Sequence, residues 1–445
     1  MTDAVHKKRH LTSFQIIILG FAGVILAGAL ILMLPISAKG GAVTPFHEAL
    51  FTSTSAVCVT GLVVRDTASY WSVFGQGVIL VLIQIGGLGV ITVAASFTLL
   101  SGKKISLMQR STMQEAISAP KVGGIVRVTF IVLKVTFLLE LTGALVMMPT
   151  FIHDFGAKGP WMALFHSISA FCNAGFDIMG TEGAEYASLT AYAADPVINI
   201  TVMALIIVGG IGFLTWEDIV TNKYHFRKFR MQSKVILATT VILILLPALF
   251  FYFVDFAGLS GKERILSALF QSVTPRTAGF NTADLTRMTG AGQAIMIALM
   301  LIGGSPGSTA GGMKTTTLAV LFANLLASFR RKEDAQLFGR RIDGRTVRHA
   351  AAILMMYVML FFGGAVIIST AEGLPIGVCL FETASAVGTV GLTLGITPDL
   401  GGMSQIVLIL LMFLGRVGGL TLIYAALSGT GKNLSKLPLE GITVG

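Results

Sequence analysis

Eight long apolar runs divide the chain, near residues 14–35, 78–100, 126–149, 196–216, 235–254, 291–328, 350–370 and 403–428. Each matches or exceeds the ~20 residues that a helix needs to cross ~30 Å of hydrocarbon. Between the odd and even members lie four shorter half-apolar stretches, at 45–57, 160–172, 262–274 and 376–387. About a dozen residues cannot span a bilayer, so these predict re-entrant half-helices. The pattern of span, half-helix, loop and span occurs four times, over approximately 14–100, 126–220, 233–328 and 347–428.

Internal similarity supports that division. The half-helix regions read FTSTSAVCVTGL from Phe51, FHSISAFCNAGFD from Phe165, FQSVTPRTAGFN from Phe270 and FETASAVGTVGLT from Phe381. Each opens on Phe, carries Ser or Thr four residues on (Ser55, Ser169, Thr274, Ser385) and ends on Gly61, Gly175, Gly279 or Gly391. A second glycine mark recurs in each following span, read as Gly86-Gly87, Gly209-Gly210, Gly303-Gly304 and Gly418-Gly419. The predicted fold class is an all-α polytopic membrane protein, with four such repeats around one central pore per chain and residues 1–445 forming one domain.

Composition agrees: 12% of residues are charged and 54% hydrophobic, with a mean hydropathy of +0.82. Soluble domains carry roughly 25% charged residues. The net charge of +10 would otherwise suggest a nucleic-acid partner. However, 22 of the 32 lysines and arginines fall in five segments, at 1–13, 101–127, 221–234, 330–348 and from 429 onward. The intervening loops hold most of the acids. This alternation predicts that both tails (1–13 and 429–445) and three basic loops are cytosolic, in a multi-pass protein of the cell membrane. The run from His6 to His10 precedes an apolar stretch with no small-residue cleavage site at its end, which predicts a retained first helix. Cys58, Cys172 and Cys379 lack metal-ligand spacing, and no paired nucleophile and base or facing acids occur at mid-membrane depth, so enzymatic chemistry is not expected.

A dehydrated cation needs its water replaced by oxygens, and backbone carbonyls supply them without adding charge. Half-helices that end near mid-membrane also present negative C-terminal ends to an axis. The chain must then turn back tightly, which glycine permits. The expected ion-binding filter is therefore Val59, Thr60 and Gly61; Asn173, Ala174 and Gly175; Thr277, Ala278 and Gly279; and Thr389, Val390 and Gly391. No covalent cofactor is expected, and no metal beyond a transported monovalent cation. An ion-coupled carrier with broken helices is the alternative, although such carriers usually show two-fold or inverted repeats.

The sixth span is interrupted by GGSPGSTAGGMKTT, from Gly303 to Thr316. Pro306 and the glycines break the helix, and the freed backbone groups need a wet or protein-lined cavity. The expected gate comprises Gly303, Gly304, Ser305, Pro306, Gly307, Ser308, Thr309, Ala310, Gly311, Gly312 and Lys314. Arg416, in the last span, joins it as an electrostatic barrier or a partner of the loop. The same stretch imitates a phosphate-binding loop, but membrane segments flank it where that motif needs a strand and a soluble helix. Arg276 is expected near the outer mouth with Asp177 or Asp284 as partner, and Glu140 is expected to need a partner between helices.

SVTPRTAGFN and GGSPGSTAGGMKTTT, with the four-fold layout over nearly the whole chain, resemble the Ktr/Trk/HKT superfamily of potassium transporters, and KtrB-type membrane subunits most. That resemblance implies potassium selectivity, a homodimer with one pore per protomer, stimulation by sodium, a gate at the interrupted span and an arginine beside it. It also implies a cytosolic KtrA-type ring that binds ATP and ADP, so that nucleotide sits on a partner only. The single glycine per repeat predicts weaker potassium-over-sodium discrimination than a longer carbonyl signature would give.

Overall fold

A computed structural model describes residues 12–100, 106–117, 125–181, 183–223 and 225–418. The described chain is predominantly helical, with one short antiparallel strand pair, Gln336–Leu337 with Arg340–Arg341. The first quarter contains α1 (Ser13–Leu32), the half-helix α2 (Phe46–Cys58), α3 (Val73–Leu88), α4 (Val90–Leu100) and the short α5 (Leu107–Ile117). The second contains α6 (Ile125–Phe155), the half-helix α7 (Gly159–Phe171), α8 (Pro196–Gly210) and α9 (Phe213–Asn222). The third contains α10 (Met231–Phe253), the half-helix α11 (Gly261–Val273), α12 (Gly290–Leu301) and α13 (Thr315–Phe329). The fourth contains α14 (Gly344–Glu372), the half-helix α15 (Ile376–Gly388) and α16 (Gly402–Val417).

Local chemistry sets several helix starts. Thr12 and Gln15 form a reciprocal capping box on α1, while Ser72, Asp195 and Thr289 accept backbone bonds at the starts of α3, α8 and α12. The half-helices α2, α7 and α15 each pack between the spans on either side, whereas α11 packs against α10 and α8. Its inner face carries small and hydroxyl residues, as in α2, where positions 51–58 are all buried. Leu30, Leu246 and Met359 instead point outward and are more than half exposed. Such an apolar exterior around satisfied helices suits hydrocarbon.

The structure departs from the predicted spans at their second members. Only the sixth run was expected to break. In fact α3 and α4 meet at 97°, as do α8 and α9. Gly89 and Gly212 occupy these corners with φ of 85° and 91°, a region open chiefly to glycine. In the last quarter, Gly418 ends α16 with φ of 85°. The described helices therefore include four long and apolar enough to cross a membrane, or six when each bent pair counts once. Residues 1–11, the stretches 101–105 and 118–124 of the basic loop 101–127, the end of the eighth run and the tail from 429 lie outside the described residues.

The corners also revise one glycine register. A Cβ on Gly86, Gly209 or Gly415 would overlap the carbonyl of Val57, Phe171 or Val387 respectively, each near the end of a half-helix. Gly415 is thus the fourth-quarter equivalent of Gly86 and Gly209, and Gly418 matches the corner glycines Gly89 and Gly212. Arg416 consequently stands where the first two quarters have Gly87 and Gly210.

Candidate cation path

All four half-helices end in the same local device. The residue two before each marked glycine is left-handed: Val59 (φ 57°), Asn173 (59°), Thr277 (68°) and Thr389 (53°). That conformation costs a non-glycine residue roughly 1–2 kcal/mol, so surrounding bonds must hold it. The backbone N–H of Thr60, Ala174 and Val390 donates to the carbonyl of Ser55, Ser169 and Ser385, at 2.8 Å each time. In the third quarter Ala278 donates to Thr274 at 2.9 Å.

The recurring hydroxyls then brace the returning chain. Ser55 and Ser385 accept from the N–H of Gly61 and Gly391, both at 3.0 Å. Ser169 and Thr274 donate to the carbonyls of Phe176 and Phe280, at 2.7 and 2.5 Å. These hydroxyls were visible as a repeated mark in the sequence, but their bracing role was not.

The four marked glycines meet. A Cβ on Gly61 would overlap the carbonyl oxygen of Ala174; one on Gly175, that of Ala278; one on Gly279, that of Val390; and one on Gly391, that of Thr60. The neighbours therefore run from the first quarter to the second, third and fourth, then back to the first. All four glycines have positive φ, between 67° and 94°. A closed ring with this backbone and spacing requires residues without a Cβ. Residues 59, 60, 173, 174, 277, 278, 389 and 390 pack around it, fully buried.

On the face from which the half-helices enter, the ring opens into a cavity of about 120 Å³ lined by all four glycines, Asp66 and Asp177. The half-helices direct their C-terminal ends toward the ring, which favours positive charge there. Arg276 does not pair as expected. Its guanidinium is buried and donates to Thr240 of α10 at 3.2 Å, while Asp284 pairs with Arg287 at 3.1 Å and Asp177 accepts from the N–H of Met179.

Beneath the ring, Gly303–Lys314 forms a loop anchored to other quarters of the chain. Ser305 and Thr309 donate their N–H groups to the carbonyls of Gly210 and Gly209, at 2.9 and 3.3 Å. The Thr309 hydroxyl donates to the carbonyl of Phe171 at 3.1 Å. Phe213 N–H donates to the carbonyl of Gly307 at 2.7 Å, and Gly312 N–H to that of Gly415 at 3.3 Å. A Cβ on Gly311 would overlap the Thr389 side chain directly below the ring.

Arg416 completes this crossing. It donates to the carbonyls of Thr309 and Gly86, and to that of Gly87 at 3.3 Å. One guanidinium thus joins α16, α3 and the loop. Lys314 turns back on its own segment, donating to the carbonyls of Ala310 at 2.7 Å and Gly311 at 3.2 Å. Pro306 provides the turn with no N–H to satisfy. A cavity of about 230 Å³ lies against the loop, lined by Gly307, Ser308, Lys314, Tyr357 and Arg416 among others.

Elsewhere, Glu140 has the interhelical partner it was expected to need. Gln84 of α3 donates to its carboxyl group at 3.0 Å. Glu217 and Asp218 meet Arg230 at 3.0 and 3.4 Å, so those acids close the α9–α10 corner.

Comparison with known proteins agrees with this geometry. Residues 3–433 match the family model TrkH, described as a cation transport protein. The potassium/sodium uptake protein NtpJ of Enterococcus hirae is 39% identical, over 98% of each chain. The Ktr system potassium uptake protein B of Bacillus subtilis is 37% identical, over 95% of each. The crystal structure of the potassium transporter TrkH from Vibrio parahaemolyticus shares the fold with a TM-score of 0.73, over 94% of this chain and 85% of that one, at 20% identity. The chain is a multi-pass membrane protein, and it belongs to the TrkH family of cation transport proteins.

Proposed function

We propose that the chain takes up potassium through a pathway whose selective step is the glycine ring. The observation that carries this reading is the cyclic packing of Gly61, Gly175, Gly279 and Gly391, each against the carbonyl that precedes the next. Four quarters of one polypeptide thereby crowd main-chain oxygens around a common axis, as replacing an alkali ion's hydration shell requires. The names of the relatives, which specify potassium or potassium and sodium, support the choice of ion.

In this reading the residues at 59–61, 173–175, 277–279 and 389–391 bind the ion, and all of 1–445 acts as one conducting domain built from four repeats. The half-helices enter from outside, and both tails are cytosolic, in keeping with the basic loops. The loop from Gly303 to Lys314, latched by Arg416, is the gate. The protein works as a homodimer with sodium as activator, under a cytosolic nucleotide-binding ring that docks on its basic loops. The Ktr system names of the relatives support a multi-component assembly.

The test is potassium uptake in a cell that lacks its own potassium systems, with Gly391→Ser beside the parent. Uptake by the parent and its loss in the variant, at equal membrane abundance, are expected. Equal uptake by the two would remove the ring from the pathway.

A further inference from the structure

We propose that Glu382 is a positioning residue for the outer end of the pathway, setting ion discrimination without touching the ion. It rests on the reading of the glycine ring as the selective step.

The second position of each recurring half-helix pattern is occupied by Thr52, His166, Gln271 and Glu382. All four are fully buried behind the ring. Among the described residues, the first three make no hydrogen bond to the limb that leaves their own half-helix. Among the described residues, the Thr52 hydroxyl and both amide atoms of Gln271 have no hydrogen-bond partner, and His166 hydrogen-bonds only to the carbonyl of Met162 on its own helix, at 2.8 Å.

Glu382 differs. Its carboxyl group accepts from the Thr393 hydroxyl at 2.8 Å and from the Thr397 hydroxyl. The two hydroxyls lie 3.1 Å apart, and Thr393 also accepts from the N–H of Gly395 at 3.0 Å. Thr393 and Gly395 line the cavity directly outside the ring. A buried carboxyl group therefore ties the half-helix before Gly391 to the limb that leaves it.

The other limbs are held by a different means. The long segment after Gly175 supports two of them: Tyr186 N–H donates to Asp66 at 2.9 Å, Leu189 N–H to the carbonyl of Asn281 at 3.0 Å, and Asn281 N–H to the Ser188 hydroxyl at 3.1 Å. That segment thus buttresses the first and third limbs, whereas the fourth is braced from behind by Glu382. Where discrimination rests on a carbonyl ring that resists closing on the smaller sodium ion, slack in one quarter lowers it.

The experiment compares potassium and sodium uptake, separating KM from maximal rate, in the parent and in Glu382→Leu, Glu382→Gln, Thr397→Val and Gln271→Leu. Thr397 is set back from the cavity, so its variant loosens the brace without altering the lining, and it decides the matter if Glu382→Leu fails to fold. Glu382→Leu and Thr397→Val are expected to lower the potassium-to-sodium preference by about threefold or more, the scale of one or two lost hydrogen bonds. Glu382→Gln, which can still bond both hydroxyls, is expected to restore most of it, and Gln271→Leu to leave it unchanged. An unchanged preference in Thr397→Val, or an equal loss in Gln271→Leu, would overturn the proposal while leaving the ring's role intact. A parent with no potassium preference would overturn both.

Discussion

The glycine ring and the loop beneath it are neighbours built on opposite plans. The ring is close to four-fold: each quarter supplies a left-handed residue, a backbone bond to its half-helix and a hydroxyl brace. The loop occurs in the third quarter, crosses to carbonyls of the second and fourth, and reaches the first through a single arginine. Bonds made by main chain to its own half-helix are short-range and difficult to rearrange. Bonds made by one long side chain to three distant carbonyls can be released together. Under the proposed function the difference separates rigidity from switching, because a selective ring must hold its shape and a gate must have two arrangements.

Substitutions sharpen that contrast in order of effect. Gly391→Ser places a side chain against the Thr60 carbonyl and forces a positive-φ backbone on a residue that resists it. Overpacking of about 1–3 kcal/mol corresponds to roughly five- to 140-fold, so uptake of labelled potassium is expected to fall at least that far. Gly415→Val meets the carbonyl of Val387, and a smaller yield of folded protein is expected by gel filtration in detergent.

Loosening the loop should act in the other direction. Arg416→Gln removes the guanidinium from Thr309, Gly86 and Gly87, and deletion of Ser308–Ala310 shortens the crossing itself. Both are expected to raise flux severalfold with little change in ion preference. Lower flux with altered preference would place the latch inside the selective step.

Single braces should matter less. Ser385→Ala leaves the N–H of Gly391 without its 3.0 Å partner, a loss of about 1 kcal/mol, and a few-fold drop in potassium preference is expected. The smallest effect is assigned to Arg65, whose paired bonds to Glu48, both 2.8 Å, lie at the exposed surface. Arg65→Gln should change thermal stability by under about 1 kcal/mol and leave uptake unchanged.

Much of this arrangement was legible in the sequence, for identifiable reasons. The half-helices lie within one residue of their expected bounds, since about a dozen half-apolar residues are too few to span a bilayer as a helix. The glycines at 61, 175, 279 and 391 were readable because a ring needs the same residue at each quarter. Two features were hidden. The corners at Gly89 and Gly212 left apolar runs unbroken, because a glycine turn needs no polar residue of its own when the Gly303–Lys314 loop takes up the backbone groups of Gly209, Gly210 and Phe213 and Arg416 those of Gly86 and Gly87. The register of Gly415 was obscured because Gly418-Gly419 resembles the earlier pairs more than Gly415-Arg416 does. Arg276 was misassigned for a simpler reason: a charge near a loop suggested an acid, whereas the chain buries it against the Thr240 hydroxyl.

Anomalous scattering from the protein crystallised with rubidium, a heavier stand-in for potassium, reports directly on the central ring. Rubidium centred among the carbonyls of residues 60, 174, 278 and 390, and lost in Gly391→Ser, is the expected result. Rubidium bound only away from that axis, or retained unchanged in the variant, would contradict the account.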